Sequence, residues 1–113
     1  MKIERLESDL KKEISHILST EIKNNTINFV TITGCKITND LSYAKVYFTV
    51  LNDDKKEEIA KELQKASKFI RGRIAEKINV RHTPEIIFKY DDSIEYGNRI
   101  EEKLKEIQNK NIS

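Results

Sequence analysis

Between Lys65 and Arg81 the chain carries Lys65, Lys68, Arg71, Arg73, Lys77 and Arg81 against one acid, Glu76. That is a local balance of +5 in a protein whose net charge is only +2. Guanidinium and ammonium groups gathered on one segment can hold phosphates. A merely solvated helix surface has a similar composition, so the arrangement must decide. With Ile70, Ile74 and Ile78 turned inward at about 100° per residue, Lys68, Gly72, Ala75 and Glu76 point outward. Arg71 then flanks one side, and Arg73 and Lys77 flank the other. Small residues at the centre would let a nucleic-acid backbone come close while the flanking cations reach its phosphates. Glu76 weighs the other way, because it repels phosphate.

Other chemistry is poorly supplied. The two histidines, His16 and His82, have no Ser or Cys motif beside them that would make a nucleophile and base. His16 lies in an apolar helical pattern, and His82 in a basic stretch before Pro84. Cys35 is the single cysteine, so no intrachain disulfide forms and no zinc-type cluster exists. Gly34, Gly72 and Gly97 are scattered and do not form a phosphate-cradling loop. The acidic run from Asp91 to Glu95 is better explained by helix capping than by metal or acid–base chemistry. The expectation is a binding protein without catalytic activity, metal or other cofactor.

The elements that position the basic segment follow from apolar periodicity. Ile3, Leu6, Leu10, Ile14, Ile17, Leu18 and Ile22 form one helical stripe. Residues 29–38 alternate as a strand, and the apolar phase switches at Gly34 from Val30 and Ile32 to Cys35 and Ile37, which predicts a bulge. After a turn at Asn39-Asp40, residues 43–51 alternate again, with Ala44, Val46, Phe48 and Val50 on one face, giving an antiparallel hairpin. Residues 55–79 carry Ile59, Leu63, Ala66, Ile70, Ile74 and Ile78 at helical spacing, and periodicity alone gives one long helix. Thr83-Pro84 forces an extended entry into a third strand through Ile86, Phe88 and Tyr90. Asp92 or Ser93 then caps a last, acidic helix with Ile100, Leu104 and Ile107 as its stripe. The 113 residues make one domain over 1–108, with 109–113 a frayed tail. There is no apolar run long enough to span a membrane and no secretory h-region at the start, so a cytoplasmic protein is expected.

At this point the residues resemble a family. Val30-Thr31-Ile32-Thr33 with Asp40-Leu41-Ser42-Tyr43-Ala44-Lys45-Val46-Tyr47 looks like the hairpin of the bacterial ribosome-binding factor A family. So does Pro84-Glu85-Ile86-Ile87-Phe88 followed by Asp91-Asp92-Ser93-Ile94-Glu95-Tyr96-Gly97-Asn98-Arg99-Ile100, with Ala66-Ser67-Lys68-Phe69-Ile70-Arg71 between them. The likeness runs from about Arg5 to Leu104. It implies an α+β, type II KH-like domain: one three-stranded sheet with helices packed on one face and an extra C-terminal helix. It also implies a helix interrupted at an Ala-x-Gly kink, here Ala66, Ser67 and Lys68, with lysine in place of the glycine. A left-handed residue is costly without glycine, and the apolar phase runs straight through, so the residues alone leave bend and straight helix both open.

The resemblance further implies a role in assembling the small ribosomal subunit. The partner would be that subunit and the 5′ terminal helix region of its rRNA, with support for late maturation, 5′-end processing and growth in the cold. The expected rRNA face comprises Lys65, Ser67, Lys68, Arg71, Arg73, Lys77 and Arg81. The protein would act as a monomer, without a membrane, small-molecule substrate or catalytic step. Two alternatives stand beside this. One is a general single-strand RNA-binding KH module, against which the missing G-x-x-G loop counts. The other is a protein-interaction domain using the acidic C-terminal helix.

Overall fold

The computed structural model describes residues 2–22, 27, 30–51, 53–78 and 80–93. The expected C-terminal helix and the tail at 109–113 lie outside them. The order is α1 (Ile3–Thr20), β1 (Val30–Ile37), β2 (Tyr43–Val50), a 3₁₀ turn (Asp53–Lys55), α2 (Lys56–Lys65), α3 (Ser67–Lys77) and β3 (Glu85–Tyr90). The sheet runs β1-β2-β3, with β1 antiparallel and β3 parallel to the central β2. All three helices pack on one face, as the resemblance implies.

Each element buries the face its sequence marks. From α1, Leu6, Leu10, Ile14, Ile17 and Leu18 enter the core, while His16 stands on the exposed face and not in the apolar stripe. Alternation sends Ala44, Val46 and Phe48 inward from β2, and Ile86 and Phe88 inward from β3. Phe48 takes both Phe88 and Tyr90 edge-on, at 6.5 and 5.8 Å between centroids, a geometry that aromatic rings favour. The phase switch in β1 is a bulge: Ile32 pairs with Phe48 and Gly34 with Tyr47, leaving Thr33 as the extra residue. Thr33 donates its hydroxyl to Asp91, which also accepts from the Ser93 N–H and hydroxyl. Asp91 thus closes the turn that follows β3; the last helix, which Asp92 or Ser93 is expected to cap, runs beyond residue 93, outside the described residues.

Both outer strands have backbone groups closed off by side chains from the helices. The Glu7 carboxylate accepts from the Ile37 N–H of β1 at 2.8 Å. On β3 the Gln64 carboxamide accepts from the Phe88 N–H at 3.1 Å and donates to the Ile86 carbonyl at 3.2 Å. Those are the two groups that a further parallel strand would use, so Gln64 stands in for a peptide unit and blunts the edge.

Candidate nucleic-acid interface

The long helical segment breaks at one residue. Ala66 sits between α2 and α3 at φ −81° and ψ −6°, and its N–H is shared between the carbonyls of Glu62 and Leu63. Nothing local demands this, since alanine is the best helix former. The cause is tertiary. Gln64, in the last turn of α2, is held to β3 and also donates to Ser67 Oγ at 3.3 Å, so the turn is drawn toward the sheet before α3 starts. The break stays in the right-handed region, and Leu41 in the hairpin turn is the only described non-glycine residue with positive φ. Lys68 in place of glycine is therefore no obstacle, because the interruption needs no left-handed residue.

Around the break a groove of about 200 Å³ runs between the helices and β3, lined by Gln64, Ser67, Lys68, Arg71, Glu85, Ile86 and Ile87. A second hollow of about 320 Å³ continues from Arg71 past His82 and Thr83 to the β1–β2 turn at Asp40. Lys68 is exposed and has no partner among the described residues. Arg71 is oriented by the loop before β3: its Nε and Nη2 both donate to the Thr83 carbonyl, at 3.1 and 2.9 Å. Asp40 lies at the far end, while Glu85 lines both hollows. Hydrogen bonds from the Ser42 backbone and the Thr38 hydroxyl hold the Asp40 carboxyl below its ordinary range. The helix break thus brings two cations, Lys68 and Arg71, against one acid, Glu85, and the hairpin turn adds a second acid, Asp40.

The seven residues expected to form one face do not all lie together. Lys65, Ser67, Lys68 and Arg71 gather at the break; the Lys65 ammonium reaches Glu62 at 3.3 Å yet its side chain remains 74% exposed. Arg73 and Lys77 turn to the other side and tie α3 to α1. Arg73 pairs with Glu21 and Glu76, both at 2.5 Å, and Lys77 faces Glu13 at 3.5 Å. The Arg73 hydrogen bond holds the Glu21 carboxyl below its usual range, and Glu21 in turn raises the guanidinium. Glu76, which weighed against phosphate binding, is thereby partly neutralised. Arg81 is exposed in the loop before β3 and lines neither hollow. Gly72 and Ala75 are exposed on the outward face, and a Cβ placed on Gly72 would meet nothing within 4 Å. Sequence reasoning missed Gln64, which looked like one more polar residue on a helix. No group of three His, Cys, Asp or Glu side chains among the described residues could hold a metal ion.

A pair of helices interrupted at one residue and laid against the parallel edge strand of a three-stranded sheet defines a type II KH-like domain. Comparison with known proteins agrees. The family model for ribosome-binding factor A matches residues 2–104. Ribosome-binding factor A of Staphylococcus carnosus is 42% identical over 97% of this chain and 96% of its own length. The crystal structure of ribosome-binding factor A from Thermus thermophilus superposes with a TM-score of 0.70, at 20% identity, over 80% of this chain and 97% of that one. A homology model of the Thermus protein, as fitted into the cryo-EM map of its complex with the 30S subunit, gives 0.66, at 18% identity, over 78% and 93%. The chain belongs to the ribosome-binding factor A family.

Proposed function

We propose that this protein binds the immature small ribosomal subunit through the cationic surface at its helix break and assists late maturation of the rRNA, including processing of the 5′ end. The observation that carries the reading is the pairing state of the cations. Lys68 and Arg81 have no ion-pair partner among the described residues, and Arg71 is held by a neutral carbonyl, so their charge is uncancelled. Arg73 and Lys77 instead hold α3 on α1. The docking surface is therefore Ser67, Lys68, Arg71 and Arg81, joined by Lys65, which touches Glu62 but keeps its side chain 74% exposed, with Gly72 and Ala75 as the point of close approach. The fitted complex of the Thermus relative with the 30S subunit supports the same partner here. Phosphate contacts supply the affinity and rRNA shape the selectivity, with the 5′ terminal helix region as the target.

The protein acts as a non-catalytic monomer in the cytoplasm, where it supports growth in the cold. No helix among the described residues is long and apolar enough to cross a membrane. A general single-strand reader is the weaker reading, because the chain has no G-x-x-G loop to clamp nucleotides. Sedimentation tests the proposal. The protein should travel with free small subunits and not with complete ribosomes, and Arg71→Glu should release it without unfolding the domain. Comparable affinity for unstructured oligonucleotides and for intact subunits would favour the general reader instead.

A further inference from the structure

The outer face of the sheet, opposite the helices, carries no described element. Because Ala44, Val46 and Phe48 fill the core, Tyr43, Lys45 and Tyr47 point to this outer side. The strand register places Lys36 directly opposite Lys45, with Ile87 next to it, and places Gly34, Tyr47 and Lys89 in the neighbouring row. Like charges directly opposite on a ladder destabilise it. Lys36, Lys45 and Lys89 are in no ion pair with a described residue. A Cβ placed on Gly34 would stand 4.0 Å from Tyr47 Cδ2, so the Tyr47 side chain borders this glycine, and Tyr43 is 44% exposed. The acids of the face sit at its ends: Glu85 pairs in register with Tyr43, and Asp91 is engaged by Thr33 and Ser93.

This face is continuous with the groove at the helix break. Ile87 lines that groove beside Lys68 and Arg71, and in register it adjoins Lys45 on the outer side. A chain leaving Arg71 would round the β3 edge onto lysines and tyrosine side chains. We propose that the outer sheet face is a second RNA-contact surface, which takes a single-stranded segment with bases stacked on Tyr47 and Tyr43 and phosphates held by Lys36, Lys45 and Lys89. Unpaired bases expose the faces that such rings stack on, whereas a duplex hides them. The inference rests on the proposed function only in taking RNA as the polyanion.

The test is a titration of the ¹⁵N-labelled full chain with a dodecamer of uridylate. Amide shifts should concentrate at Gly34, Lys36, Lys45, Tyr47 and Lys89. Three phosphate contacts to a single strand give a slope of about −2 in log K against log salt, so affinity falls roughly 18-fold between 50 and 200 mM. Tyr47→Leu should weaken binding by at least about fivefold. The double variant Lys36→Gln with Lys45→Gln removes the like-charge pair, so it should fold at least as well and bring the slope to about −0.7. Arg71→Glu, at the edge from which the strand enters, should lose small subunits and lower uridylate affinity, while the shifts at Gly34, Lys36, Lys45, Tyr47 and Lys89 persist at saturation. Shifts confined to α3 and the groove, a slope unmoved by the double variant, or loss of both activities in Arg71→Glu would overturn the second surface. Wild-type protein that still binds subunits with a silent outer face would retire this inference alone.

Discussion

Replacing Gly72 by alanine should make the protein more stable and a poorer binder. Gly72 lies inside α3, is exposed, does not use positive φ, and has open space where a Cβ would go. Glycine in a helix interior costs about 0.5–1 kcal/mol relative to alanine, because the unfolded chain loses more freedom and no side chain covers the backbone. Since nothing meets the new methyl group, the whole of that difference should return as stability. For a domain of this size it corresponds to a rise of about 2–8 °C in Tm. Urea and thermal unfolding followed by circular dichroism give the stability, and sedimentation with small subunits gives the binding. On the proposed surface Gly72 is where the rRNA backbone comes closest, so the methyl group should weaken association even as the fold gains. A Gly72→Ala protein that is less stable would refute the geometry of α3. One that is more stable and binds unchanged would remove Gly72 from the contact surface.

Other outcomes follow from the same contacts. Gln64→Ala should cost about 1–3 kcal/mol, because it leaves the Ile86 carbonyl and Phe88 N–H without their partner; equal stability in urea would mean that water replaces the carboxamide freely. Cys35 is buried, and burial pushes its thiol up to about 12 from 9.0. The folded state therefore disfavours the thiolate, and stability conferred by keeping the thiol neutral is present below pH 9 and lost as pH rises from about 9 toward 12. Ellman's reagent should react at the rate of unfolding at pH 8, and Cys35→Ala should flatten the alkaline decline. Glu21 has its carboxyl lowered from 4.5 by Arg73. Its contribution is present above about pH 4.5 and lost as pH falls below it. Glu21→Gln should thus be less stable than the parent at pH 7 and indistinguishable at pH 2; a constant gap across that range would show that the ion pair is not the source.

The fold was legible because its signals are local. The apolar stripe of α1, the alternation of β2 and the phase switch at Gly34 each rest on neighbouring residues, and each appears where the pattern puts it. The break at Ala66 was legible only through the family resemblance, because periodicity continues through it and its cause is the contact of Gln64 with a strand about twenty residues away. For the same reason the wheel correctly put Arg73 and Lys77 on the flank away from Arg71 but could not show that Glu13 of α1 and Glu21 at its C-terminal end wait there. Charge counting measures how many cations a segment has; only packing reveals which are already neutralised. His16 is a smaller case of the same kind, since its neighbour Ile17 is buried while His16 faces solvent.

The salt dependence of small-subunit binding tests the cationic surface most directly. In a plot of log affinity against log salt concentration, Lys68→Ala should reduce the slope by about 1, the signature of one lost phosphate contact. Lys77→Ala, whose ammonium is engaged with Glu13, should leave the slope as it is. An unchanged slope for Lys68→Ala, or an equal reduction in both variants, would contradict the division of the basic segment into rRNA-facing and α1-facing cations.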